Sequence, residues 1–121
     1  MKDGNGRPED LRARTKKFAL RIIRLFSALP KEMIAQVLGK QLLRSGTSVG
    51  AHYREAFRAK SRADFISKME GALQELDETE YRLELLVESN SIPLKRLQPL
   101  LDETNELISI FVAIVKRTKG E

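Results

Sequence analysis

The sequence predicts an all-α protein, an antiparallel up-down-up-down four-helix bundle. Three observations carry that expectation. Apolar residues recur at threes and fours through four long segments, the joins hold prolines and polar residues, and no segment alternates as a strand does. Long helices joined by a few residues pack as antiparallel neighbours.

Residues 1–7 are expected to form a flexible tail and residues 8–121 a single domain. Pro8-Glu9-Asp10 is a good helix opening, with a proline where the amide is unsatisfied anyway and acids facing the positive end of the dipole. Leu11, Phe18, Ile22, Leu25, Phe26 and Leu29 then make an amphipathic first helix. Pro30 ends it and is expected in the first turn of the second, which runs from about Lys31 to Lys60. Ile34, Leu38, Leu42, Val49 and Ala56 lie close to one face of that helix.

Ser61-x-x-Asp64 reads as a cap in which the acid returns a hydrogen bond. Helix three follows, striped by Ile66, Met69, Leu73, Leu76, Leu83 and Val87, until Asn90-Ser91-Ile92-Pro93 breaks it. Helix four begins near residue 95, with Pro99 in its opening turn and Leu97, Leu100, Leu101, Leu107, Ile108, Phe111 and Val115 as its stripe.

Composition narrows the function. Of 121 residues, 41% are hydrophobic and 32% charged, which is a globular balance. With no cysteine, disulfides and thiol-based metal or redox chemistry are excluded. The polar start Met1-Lys2-Asp3-Gly4-Asn5-Gly6 is unlike a signal peptide, and the longest apolar run, Ile110–Val115, is far short of the about 20 residues a membrane span needs. A soluble cytoplasmic protein without membrane contact is expected. The net charge of +5 hides a division: residues 1–62 hold 15 Lys/Arg against 5 Asp/Glu, and residues 63–121 hold 7 against 12. Such asymmetry fits a face for an anionic polymer, or halves that attract one another.

"RSGTSVGAHYREA", residues 44–56, has the composition of a phosphate-binding loop. It lacks the lysine and hydroxyl of a P-loop, the three spaced glycines of a dinucleotide fingerprint and any preceding strand. A continuous helix is the better reading. Each glycine there costs about 1 kcal/mol of helix propensity relative to alanine, which close approach by a neighbouring helix would offset. At 100° per residue, Ile34, Leu38, Ser45, Val49, His52 and Ala56 share one face. Gly39, Leu43, Gly46, Gly50, Tyr53 and Phe57 form an adjoining second face, expected to serve helix packing or an oligomer interface.

"QLLRSGTSVGAHYREA" followed by "SRADFISKMEGALQELDETEYRLELLVES" closely resembles a bacterial four-helix-bundle family encoded in intervening sequences of large-subunit ribosomal RNA genes. More distantly, it is similar to the accessory variability protein of diversity-generating retroelements. The resemblance spans roughly residues 9–118. It implies an up-down bundle, a homo-oligomeric ring of pentameric size, and no catalytic motif. For the retroelement relatives it implies binding of nucleic acid and a reverse transcriptase through a basic surface. His52 departs from the family pattern, where asparagine is expected.

No catalytic residue, metal ligand or cofactor is expected. His52, the single histidine, fits a structural role better than a catalytic one. Glu80 falls within the apolar stripe of helix three, where an unpaired carboxylate is costly to bury. A donor is therefore expected for it among Ser45, Ser48, His52 or a partner chain's arginine, making these residues a buried polar group. Glu70, Asp77, Glu84 and Glu88 flank the stripe and should face cations.

Arg14, Lys17, Arg21 and Arg24 share one side of helix one, and Lys40, Arg44, Arg54 and Arg58 share one side of helix two. On neighbouring helices the two stripes are expected to merge into one basic surface for nucleic-acid phosphate. Aromatic residues are 6% of the chain and no tryptophan is present, so base-specific readout has no support. The leading expectation is a non-enzymatic homo-oligomer that binds RNA or DNA through phosphates. The alternative is a protein–protein assembly or adaptor module whose charges serve ring formation.

Overall fold

The computed structural model describes residues 8–121, with side chains from residue 10 onward; the expected tail, residues 1–7, lies outside them. Four helices follow in order: α1 (Pro8–Ser27), α2 (Met33–Phe57), α3 (Arg62–Glu88) and α4 (Leu94–Lys119). No strand occurs among the described residues. Cross-helix pairs fix the directions. Gly39 faces Leu29 while Gly50 faces Thr15, so α1 and α2 are antiparallel. Thr79 meets Ser45 and Arg82 meets Gln41 between α2 and α3. Arg62 reaches Thr118 and Lys119 reaches Glu70, between the start of α3 and the end of α4. The bundle is the expected one.

The joins differ from expectation in detail. Helix two begins at Met33 because the Glu32 side chain accepts from the Ala35 amide at 2.8 Å and caps it. Pro30 therefore lies before the helix, where its carbonyl accepts from the Gln36 side chain at 2.8 Å. At the other end α2 stops at Phe57, three residues short of Lys60, so that the chain can turn into the cap of α3. Ser61 accepts from the Asp64 amide at 3.0 Å, and Asp64 accepts from the Lys60 amide at 3.1 Å. The carboxylate returns its bond one residue upstream of the cap.

Asn90, at φ 63°, occupies the left-handed region that asparagine tolerates better than most residues. That turn lets the Ser91 amide reach back to the Leu86 carbonyl at 3.0 Å, closing α3. Pro99 stands in the second turn of α4, one turn deeper than expected, and the helix runs through it.

One apolar cluster runs the length of the bundle, with Phe18, Leu42, Leu76 and Phe111 fully enclosed. Fully burying each such side chain contributes about 1.5–3 kcal/mol. Thr15, Ser45, Thr79 and Thr104 also have no exposed surface. Thr15 and Thr104 hydrogen-bond the carbonyls of Leu11 and Leu100, each at 2.7 Å, which satisfies the buried hydroxyls within their own helices. Ile34, expected on the core face of α2, is 56% exposed in the helix's first turn.

The glycines of α2 explain its thinness. A Cβ on Gly39 would come within 2.4 Å of Leu29, on Gly46 within 2.7 Å of Ile22, and on Gly50 within 3.0 Å of Thr15. All three therefore serve the packing of α1 against α2 within one chain. Of the other second-face residues, Tyr53 is in the core with its ring tilted against Phe111, centroids 5.7 Å apart, Leu43 packs half-buried, and Phe57 is exposed beside Tyr53.

Gly46→Leu should lower stability by about 1–3 kcal/mol or more, read from the urea midpoint, because the closed seam has no room for overpacking. An unchanged midpoint would refute the tight-seam account. A second expectation concerns Asp64, whose carboxyl is held below its ordinary 3.8 by the Lys60 amide and then by Lys68. Its contribution is present at neutral pH and lost as pH falls through that lowered pKa. Carboxyl NMR should place its midpoint below 3.8, and Lys68→Met should move it part of the way back.

Candidate nucleic-acid interface

Close backbone contact runs from α1 to α2, α2 to α3 and α3 to α4, whereas α1 and α4 stand further apart. The basic side of α1 opens onto that wider seam. Because Ile22 and Phe26 turn toward the glycines of α2, residues on the other flank of α1 face α4. A recess of about 450 Å³ there is lined by Asp10, Ala13, Arg14, Lys17, Phe18, Arg21 and Glu103. A second, of about 290 Å³, is lined by Arg21, Arg24, Leu25, Ala28, Arg96, Leu97, Pro99 and Leu100.

The first recess contains the best-formed ion pair of the bundle. Arg14 Nε and Nη2 each donate to Glu103 at 2.8 Å, a bidentate pair, and Nη2 also donates to Glu106. These bonds, with that to Glu103 the largest influence, hold the guanidinium above its ordinary pKa. The pair joins α4 to α1 and neutralises the acid on the α4 wall. Lys17, Arg21, Arg24 and Arg96 have no carboxylate partner among the described residues.

The expected merger of two basic stripes does not occur. On α2, Arg44 turns to α3, reaching Glu78 at 3.0 Å and Glu75 at 3.4 Å. Arg54 lines a different recess, of about 300 Å³, with Lys16, Thr15, Ala19, Thr47, Gly50 and Ala51 between α1 and α2. Lys40 and Arg58 are exposed and line neither groove. The glycine seam occupies the side of α2 nearest α1; Arg54 flanks it beside Lys16, and Arg44 lies on the flank toward α3. Arg96 was not singled out in the sequence. Its signal was its place in the opening turn of α4, which bundle closure sets against the cationic end of α1.

The buried polar group also differs from expectation. Thr79, rather than Glu80, enters the core and hydrogen-bonds Ser45 at 2.9 Å. Glu80 is half-buried and has no bond to Ser45, Ser48 or His52. Ser48 instead donates to the Arg44 carbonyl at 2.6 Å. His52 lies between Glu75, 3.7 Å from Nε2, and Glu55, 3.8 Å from Nδ1. It lodges against Gly71, whose missing Cβ would stand 3.2 Å from Nδ1. Among the described residues no group of three or more metal-ligating side chains converges, and no helix is long and apolar enough to cross a membrane.

A sequence model of the 23S rRNA-intervening sequence proteins matches residues 10–113. The chain belongs to that family. Among solved structures, this intervening sequence protein is similar to a Bacteroides thetaiotaomicron protein of the S23 ribosomal protein family, described as having unknown function. The two are 40% identical with a TM-score of 0.84, and the match covers 90% of this chain and 97% of that one. No curated protein matches the sequence. Neither the family nor the Bacteroides protein is described as a retroelement accessory protein.

A double-mutant cycle on Arg14→Ala and Glu103→Ala should give a coupling of about 1 kcal/mol, between exposed and buried pairs in size. Coupling near zero would mean that the pair does not hold α4 to α1.

Proposed function

We propose that this intervening sequence protein is a cytoplasmic, non-enzymatic homo-oligomer that binds RNA or DNA through phosphate contacts. The observation that carries this reading is the α1/α4 groove, where Lys17, Arg21, Arg24 and Arg96 converge without carboxylate partners among the described residues. Uncompensated cations in a concave seam raise the local potential more than the same charges on a convex surface. Arg14 contributes indirectly, because its guanidinium pairs with Glu103 and Glu106 and offsets part of the negative charge on the α4 wall. His52 sits on the closed α2–α3 seam between Glu75 and Glu55, which fits a structural role.

Assembly has its own support. Leu20 and Ile23 on α1, with Met33 and Val37 on α2, are large exposed aliphatic residues. A ring of copies, pentameric by resemblance, would cover them and repeat the basic groove around an axis. The same exposed residues favour the second reading, an adaptor or assembly module whose partner is another protein, a reverse transcriptase among them.

Labelled structured RNA and duplex DNA, titrated over a salt series, separate the two. Four cations predict a slope of log affinity on log salt of about −3.6 on duplex DNA per groove occupied. Arg21→Glu with Arg24→Glu should abolish binding, whereas Arg54→Glu with Arg58→Glu should weaken it far less. Absence of binding at low salt by folded, assembled protein would leave the adaptor reading.

A further inference from the structure

We propose that the α1/α4 groove takes an unpaired strand of nucleic acid, with phosphates on its cationic rim and bases against its apolar floor. This rests on the phosphate-binding reading above and narrows its ligand. The two recesses both border Arg21 and lie in succession along α1, together spanning it from Asp10 to Ala28. At 1.5 Å per residue that is about 27 Å, long enough for several nucleotides.

The rim is one-sided in its spacing. Lys17, Arg21 and Arg24 succeed one another along α1 at about 6 and 4.5 Å of rise, commensurate with successive phosphates of one strand. Arg96 stands on the opposite wall. Between the walls the lining is aliphatic: Leu25, Ala28 and Pro99 present apolar surface, while Leu97 and Leu100 are buried. A ligand that only carried charge would satisfy the rim and leave that floor against water.

Duplex nucleic acid is such a ligand, since its bases are stacked inside and its outer surface is sugar and phosphate. An unpaired nucleotide instead presents an anionic side and a flat apolar side, and splayed bases are the usual targets of protein contact in RNA. No exposed aromatic ring lines the groove, so the base contacts are aliphatic and tolerant of sequence. The carboxylates present oppose this only in part. Glu103 is held by Arg14, and Asp10 lies at the end of the groove.

Fluorescein-labelled oligouridylate and an RNA duplex with the same number of phosphates, at one salt concentration, test the proposal. The unpaired strand should bind at least about tenfold more tightly, and Arg96→Glu or Ala28→Glu should each reduce its affinity about tenfold. Both substitutions are at exposed positions, and circular dichroism verifies folding. Lys40→Gln, outside the groove, should leave the strand preference intact. Equal or tighter duplex binding that still depends on Arg96 would overturn the strand preference while sparing phosphate binding. Strand binding unaffected by Arg96→Glu and Ala28→Glu would remove the groove as the site. Failure of both probes to bind would overturn the nucleic-acid reading itself.

Discussion

The closeness of α1 to α2 governs the rest of the bundle. Three glycines remove the side chains that would keep the helices apart, and Leu29, Ile22 and Thr15 fill the space they leave. A helix with three glycines is intrinsically weak, at a cost of about 1 kcal/mol each relative to alanine. Its stability must come from the packing those glycines permit. Drawing α1 toward α2 also fixes which flank of α1 is left for α4. That flank is the cationic one.

The wider α1–α4 seam follows from this arrangement, and it is held differently. Instead of backbone approach it has a bidentate Arg14–Glu103 pair over a partly apolar floor. Charge-assisted bidentate bonds fix geometry as well as adding energy. The bundle therefore has three closed seams and one in which polar groups set the separation. Four cations without carboxylate partners among the described residues, Lys17, Arg21, Arg24 and Arg96, line the open seam, so the packing of one helix pair bears on the electrostatics of another.

Much of this was legible in the sequence. Helical periodicity located all four helices, Ser61-x-x-Asp64 marked the start of α3, and the spacing of the glycines implied a close helix contact. What escaped had physical causes. On α3 the large residues Ile66, Leu73 and Val87 pulled the inferred face toward Glu80, whereas the enclosed face also contains Ala72 and Thr79. A small residue and a polar one carry little weight in a hydrophobic pattern, yet they fit where helices pack tightly. The offset is about half of the 100° step between neighbours, enough to exchange residue 79 for 80. Periodicity places each basic stripe on its own helix, and a wheel does not say which flank a neighbour occupies. Arg96 depended on that same missing fact.

His52 has a different consequence. It is the chain's single histidine, and its ring rests in the notch left by Gly71, between carboxylates from its own helix and from α3. Imidazole carbon-bound protons resonate apart from most others in a proton spectrum. One uncrowded pair of signals therefore reports on the α2–α3 seam with no label attached. A change of packing there, whether from a distant substitution or from assembly of copies, would be visible as movement or splitting of two lines.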